Sequence, residues 1–215
     1  MIVDTPPAIV QIAQRAQRQE QGVFLYHMRK LFDVHAGGRR RHEELELEVV
    51  SDATRTIKVR VLRSLVDGKA SDAAALQKIE DQYEHPNPAD VVHRPFDPAY
   101  LGEYTYQQLD AKTFKFTSAV RDSAHGDGTF SLDDDGDIVS YAFQPAVLPK
   151  YTTAGTVTAQ RSEVLPGIWQ LTRETDEYKG RFAFLSGGAT VSITYDSYAQ
   201  YPDAASAIAA LKAYA

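Results

Sequence analysis

Gly136-Asp137 closes a turn, and Ile138-Val139-Ser140-Tyr141-Ala142-Phe143 runs on from it; this stretch decides the fold. The pattern returns in Thr156-Val157-Thr158-Ala159-Gln160-Arg161, in Ile168-Trp169-Gln170-Leu171-Thr172-Arg173, in Phe182-Ala183-Phe184-Leu185 and in Val191-Ser192-Ile193-Thr194-Tyr195. Short runs rich in β-branched and aromatic residues, broken by turn residues, predict a large antiparallel sheet with one apolar face. Toward the N-terminus, residues 43–50 alternate strictly. Leu45, Leu47 and Val49 fall on one side and Glu44, Glu46 and Glu48 on the other, so the leucines and valine are expected buried and the glutamates exposed. Residues 23–34 and 54–65 flank this strand across turns at Gly37-Gly38 and Asp52-Ala53, giving a three-strand meander.

Helical signals sit at three places. Asp4-Thr5-Pro6-Pro7 is a helix start, with Asp or Thr as cap, followed by Ile9, Ile12, Ala13 and Ala16 and a stop near Gly22. Ser71-Asp72 caps a second helix whose apolar side is Leu76, Ile79 and Tyr83, ended by His85-Pro86-Asn87-Pro88. Asp203 caps a third, with Ala204, Ala207, Ile208 and Leu211. The expected organisation is a single domain over 1–215: helix 5–21, strands 23–65, helix 71–83 with a Pro-rich loop 85–98, strands 103–198, and a C-terminal helix 203–213. The expected class is α+β, a strongly curved antiparallel β-sheet forming an unclosed half-barrel, with helices covering the concave face.

Twenty-three basic residues against twenty-nine acidic ones give a net charge of -6, which disfavours nucleic acid as a partner. The basic run Arg39-Arg40-Arg41 reads as a solvated turn. The absence of cysteine excludes disulfides, thiolate metal sites and cysteine nucleophiles. No stretch reaches the ~18 apolar residues of a membrane span. The first residues lack the basic and apolar regions of a secretory signal, so the expected location is cytoplasmic, or periplasmic or cell-envelope if a leader has been removed.

Chemistry-bearing motifs are sparse. The acidic run Asp133-Asp134-Asp135-Gly136-Asp137 fails as a calcium loop, because its sixth and twelfth positions are Ile138 and Gln144; it reads as an exposed hairpin turn. Among the histidines, His35 and His42 flank one turn, and His85 and His93 bracket the Pro-rich loop without a carboxylate in a telling position. Ser186 lacks a nucleophile elbow, and Glu174, Asp176 and Glu177 are simply acidic residues near a strand end. The expectation is therefore no catalytic residue, no metal and no cofactor. Aromatic content points elsewhere. About nine strands against three modest helices leave room for a cavity, and cavities lined by apolar side chains are the usual small-molecule sites. The candidate lining is Phe24, Tyr26, Leu47, Tyr106, Phe116, Tyr141 and Trp169, with helix 71–83 and its loop as a lid.

Gly128-Thr129-Phe130-Ser131-Leu132-Asp133, followed by Gly136-Asp137-Ile138-Val139-Ser140-Tyr141, resembles the hairpin of outer-membrane lipoprotein-sorting proteins. That group includes the periplasmic lipoprotein carrier and a related stress-sensor regulator, and the order of elements matches over most of the chain. The resemblance implies an unclosed barrel with helices as a lid, an envelope location, and a cavity for an acyl chain. It also implies an arginine that latches the lid, for which Arg29, Arg60 and Arg173 are unranked candidates. The leading expectation is a non-enzymatic protein that binds a hydrophobic small molecule or an acylated protein. The alternatives are an interaction domain with a filled core and, last, a hydrolase.

Overall fold

Among the residues described by the computed structural model (5–87, 91–182 and 185–213), eleven antiparallel strands hydrogen-bond into one sheet. The first half of the chain supplies α1 (Pro7–Gln19), β1 (Val23–Ala36), β2 (Arg39–Ser51), β3 (Thr56–Val66), β4 (Lys69–Ala70) and α2 (Ala73–Glu84). The second half supplies β5 (Tyr104–Gln108), β6 (Thr113–Ser118), β7 (Gly126–Leu132), β8 (Ile138–Pro145), β9 (Thr152–Leu165), β10 (Ile168–Phe182), β11 (Leu185–Tyr201) and α3 (Ala204–Ala213). The strand order is β4-β3-β2-β1-β11-β10-β9-β8-β7-β6-β5. The two halves are joined where β11 returns to pair with β1, and β4 and β5 remain as the two edges of an unclosed half-barrel. The segment from α2 to β5 therefore connects one edge of the sheet to the other, and we call its described residues 91–103 the strap.

Register fixes which side chains share the inner face, since directly paired residues point the same way. One row crosses ten strands: Ser64, Leu45, Lys30, Ile193, Glu174, Ala159, Tyr141, Phe130, Phe114 and Gln108. At the β7–β8 hairpin the close approach of the strands requires glycine: a Cβ on Gly128 would lie 1.9 Å from the Ala142 carbonyl oxygen.

Three apolar clusters hold the helices. α1 buries Ile9, Ala13 and Ala16 against Phe96 of the strap and the aromatics of β5–β8. α2 sets Ile79 and Tyr83 against Met28, Leu47, Val49 and Val59. α3 packs Ala207 and Leu211 on Leu25 and Val50, which are adjacent in sequence to inward Tyr26 and Val49 and so lie on the outer face. Two helices thus cover the concave face, and the third backs the sheet.

α2 does more than cover. β3 has β2 on one side and only the two-residue β4 on the other, so its outer N–H groups need partners. Glu80 Oε1 accepts from Val61 N at 2.9 Å, and Glu84 Oε1 accepts from Val59 N at 3.0 Å and from Lys58 Nζ at 2.7 Å. A pair of carboxylates four residues apart on one helix face thus serves alternate N–H groups of the strand.

Several expectations need correction. The runs expected as three strands at 168–173, 182–185 and 191–195 are two long strands, with Phe182 paired to Leu185 at the hairpin tip. The inner face is polar at Glu174 and Asp176, which breaks the apolar alternation that marks a strand. Glu44, Glu46 and Glu48 are half-buried rather than exposed, and Leu45 is also half-buried. Arg63 lies 3.5 Å from Glu44 and 3.7 Å from Glu46, so these outer-face glutamates sit among neighbouring side chains. Thr5 does not cap α1: Pro6 holds the N-cap position, without a side-chain bond. Asp72 and Asp203 do serve their helices, accepting from Ala75 N at 2.8 Å and Ser206 N at 2.7 Å. The 133–137 run is a turn, with Gly136 at φ +85°, but Asp137 is 5% exposed and not at the surface. Its carboxylate accepts from Arg15 and from Gln19 Nε2, fastening α1 to the sheet. Asp4, Pro88, Ala183 and Phe184 lie outside the described residues.

Candidate functional site

The inner face divides into an aromatic end under α1 and a hollow end under α2, and a further cavity of about 450 Å³ lies where α1 meets the strap, lined by Ala16, Glu20, Arg94, Phe96 and Tyr100. Under α1 and the strap, Phe116 and Phe130 are about 1% exposed and Phe96 packs edge-on to Tyr141 at 5.2 Å. Under α2 lies a cavity of about 280 Å³, lined by Phe32, Leu45, Leu65, Ile79, Tyr83 and Val191 and, as polar points, by Lys30, Glu43, Glu44, Ser64 and Gln82. Between the two ends the face becomes polar. Glu174 and Asp176 alternate along β10 and both point inward, two strands from Lys30. Burial, and then the like charge of Asp176, push the Glu174 carboxyl up to about 7. Burial likewise raises Asp176, one of whose oxygens has no hydrogen-bond partner.

A bulge concentrates tyrosines beside this belt. β11 carries an extra residue opposite Leu25–His27, with Ser197 at φ +57°, so Tyr195 and Tyr198 both reach Tyr26. Their ring centroids lie 6.0 and 5.0 Å from that of Tyr26, and the Tyr198 hydroxyl donates to the Leu171 carbonyl at 2.6 Å. Burial raises the Tyr83 hydroxyl at the same wall to about 12.

The strap is fastened by charge. Arg94 makes a bidentate pair with Glu20 at 3.0 and 2.9 Å, and Arg161 of β9 approaches Glu20 at 3.1 Å and donates to the Trp169 carbonyl at 2.8 Å. The latch candidates Arg29, Arg60 and Arg173 are elsewhere. Arg29 faces Glu46 on the outer face, Arg60 donates to the Leu211 carbonyl of α3 at 2.5 Å, and Arg173 is exposed. The two arginines that meet Glu20 sit in a proline-rich segment and mid-strand, where sequence offers no pairing signal.

Of the seven candidate lining residues, Leu47 lies beneath the α2 cluster and Tyr26 in the tyrosine group. Phe116 and Tyr141 are core at the aromatic end, and Phe24 joins Tyr141, Arg94 and Arg161 around a cavity of about 170 Å³. The Tyr106 hydroxyl donates to the Pro95 carbonyl at 2.5 Å, so this side chain anchors the strap. Trp169 is half-buried beside the β9–β10 turn, away from the α2 cavity. Phe32, Leu45, Ile79 and Val191, which line that cavity, were readable from strand and helix periodicity; Lys30 and Glu174 were not, being polar residues that face inward. His35 and His42 do not meet: His42 pairs with Asp33 at 2.8 Å and with Glu44 at 3.4 Å. His85 is exposed, whereas His93 gains the carboxylate partner that sequence spacing hid. With Glu103 and His125 it forms a group of donor atoms that could hold a metal ion.

No family model matches the chain, and no curated protein matches its sequence. Solved structures do match. A LolA superfamily protein from Nitrosomonas europaea aligns at 9% identity over 95% of this chain and 97% of its own, with a TM-score of 0.41. An outer-membrane lipoprotein-sorting protein domain from Vibrio parahaemolyticus aligns at 9% identity over 91% and 93%, with a TM-score of 0.47. A DUF1329 family protein from Desulfovibrio piger aligns at 10% identity over 94% and 95%, with a TM-score of 0.41. The chain is similar in fold to the lipoprotein-sorting proteins that its 128–141 hairpin resembles.

Proposed function

We propose that this protein binds an amphiphile, a lipid or the acyl chain of a modified protein, without catalysing a reaction on it. The observation that carries the reading is the hollow end of the inner face. A cavity of about 280 Å³ lies between α2 and the sheet, with an apolar part formed by Phe32, Leu45, Leu65, Ile79 and Val191, close to the ~300–1,000 Å³ typical of small-molecule pockets. Lys30 and the Glu174–Asp176 belt adjoin its floor, so an apolar chain in the cavity would present its head to charge. An apolar chain longer than the cavity requires α2 to move outward. α2 has no fully buried residue, whereas α1 has three. An envelope location and an acylated protein partner belong to the same proposal.

A fluorescent fatty-acid probe tests it. Saturable binding with a Kd in the micromolar range, about -8 kcal/mol, is expected. Leu45→Trp and Ile79→Trp fill the cavity from its floor and its lid, and each should weaken binding tenfold or more while the circular dichroism stays unchanged. Absence of saturable binding, or indifference to both substitutions, removes the reading. It then leaves an interaction domain, which the buried aromatic cluster under α1 favours.

A further inference from the structure

Where the strap rejoins the sheet, three donor atoms converge. His93 Nδ1, Glu103 Oε2 and His125 Nε2 lie 3.2, 3.3 and 2.7 Å apart, taken as His93–Glu103, His93–His125 and His125–Glu103. Ligands on a tetrahedral ion with bonds of ~2.0–2.1 Å stand about 3.3–3.4 Å from one another, so two of the three separations already fit and the third must widen by roughly 0.6–0.7 Å. The other nitrogen of His125 is occupied: Nδ1 is 2.6 Å from Asp122 Oδ1, which also accepts from Ala124 N at 2.9 Å. A carboxylate on the far nitrogen fixes the tautomer that presents a lone pair on Nε2, the arrangement that supports metal-bound histidines.

Each group is held from outside the triangle. The His125 side chain is 3% exposed, and its backbone carbonyl accepts from Ala146 N at 2.8 Å. His93 donates its backbone N–H to the Ala124 carbonyl at 2.8 Å, its own carbonyl accepts from the Tyr104 hydroxyl, and its ring stacks on Tyr100 at 3.8 Å. Glu103 ends the short 3-10 turn that leads into β5. The side chains of His93 and Glu103 are 25% and 36% exposed, so the triangle has a solvent side through which an ion enters and on which a fourth ligand can stand.

We propose that His93, Glu103 and His125 form a binding site for a divalent first-row transition ion of the zinc type, with Asp122 as the positioning residue. Two imidazoles and one carboxylate without thiolate suit zinc and its neighbours, whereas calcium and magnesium favour all-oxygen shells. The ion would join His93 in the strap to Glu103 at the strap's end and to His125 just before β7. It would act as a staple on the segment that bridges the two sheet edges, independently of any ligand on the inner face.

The test uses the full chain stripped of metal by chelator and dialysis. Competition against a chromophoric chelator should give one zinc per chain with a submicromolar Kd, and calcium and magnesium should not compete. His93→Ala and Glu103→Gln, both at partly exposed positions, should each weaken zinc binding at least a hundredfold with the fold intact by circular dichroism. Asp122→Asn should weaken it ~10–100-fold, because it acts through His125. Zinc at a hundredfold excess over Kd should raise the melting temperature by roughly 5–10 °C, and His93→Ala should abolish that rise. Bound cobalt(II) should show the visible bands of a tetrahedral site. Binding weaker than about 10 μM, or binding that survives both His93→Ala and Glu103→Gln, overturns the proposal and assigns the triangle to a protonated hydrogen-bond network.

Discussion

Glu174 shows how one inward polar residue changes what a strand does. Its carboxyl titrates near 7 in the folded chain, against an ordinary value of 4.5, because burial and Asp176 both disfavour the charge. Below pH 4.5 the group is neutral in both states and stability is at its full value. Between about 4.5 and 7 the unfolded chain loses its proton while the folded chain keeps it, so stability falls as pH rises and levels off above 7. The loss amounts to about 2 kcal/mol after allowance for solvent screening at this half-buried position. Glu174→Gln should therefore stabilise the protein by that amount at pH 8 and leave it unchanged at pH 4.5, as read from urea unfolding at the two pH values. Asp176 is raised in the same direction, so a smaller slope of the same sign should persist in the variant. Equal slopes in variant and parent would mean that Glu174 is ionised in the fold at neutral pH. Such a group also gives the inner face a pH-dependent charge.

At the scale of the element, α2 is tied to the sheet by Glu80 and Glu84 as well as by the half-buried Ile79 and Tyr83, with no fully buried residue of its own. Charge-assisted bonds to backbone N–H groups are worth roughly 1.5–3 kcal/mol each. Glu84→Ala should cost about 2 kcal/mol, since Lys58 and Val59 N both lose their acceptor, and Glu84→Gln should cost less because it retains one. The double variant Glu80→Ala/Glu84→Ala bares alternate N–H groups of the β3 edge and should promote strand-to-strand association. Light scattering behind size-exclusion chromatography, alongside thermal melts, checks both effects; a monomeric double variant of unchanged stability would show that these bonds do not hold the helix. None of this was readable beforehand. Period-two alternation revealed that Leu47 and Val49 face inward and that 138–143 is a strand, because those residues obey a local rule. The Glu80–Glu84 spacing on α2 looks like any solvated helix face. Glu174 and Asp176 break the alternation they sit in. His93, Glu103 and His125 are 10 to 32 residues apart and meet only because the strap carries His93 across the mouth of the sheet to its β5 edge.

At the scale of the whole molecule, α2 and the strap together lie over the inner face, and the two ends of this cover are held unequally. The strap end, near β5, is fixed by the Arg94–Glu20–Arg161 group, by Phe96 in the core, and by the Tyr104 and Tyr106 hydroxyls on the His93 and Pro95 carbonyls. The α2 end rests on the β3 rim, over the cavity, with Ile79 and Tyr83 only half-buried. Opening should therefore start at α2 and leave α1 in place. Hydrogen exchange on the free protein should show α2 amides exchanging well before those of α1, with an apolar probe slowing α2 and β3 selectively. Removing the firm end separates fastening from packing. Glu20→Ala strands Arg161, which is 2% exposed, without its partner and should cost roughly 3 kcal/mol, whereas Arg94→Met keeps the Arg161–Glu20 pair and should cost less. In Glu20→Ala, exchange should quicken through the strap and α1 while α2 keeps its rate. If α2 quickens instead, the two ends are coupled, and the mouth of the half-barrel opens as one body rather than as a hinge at the β3 rim.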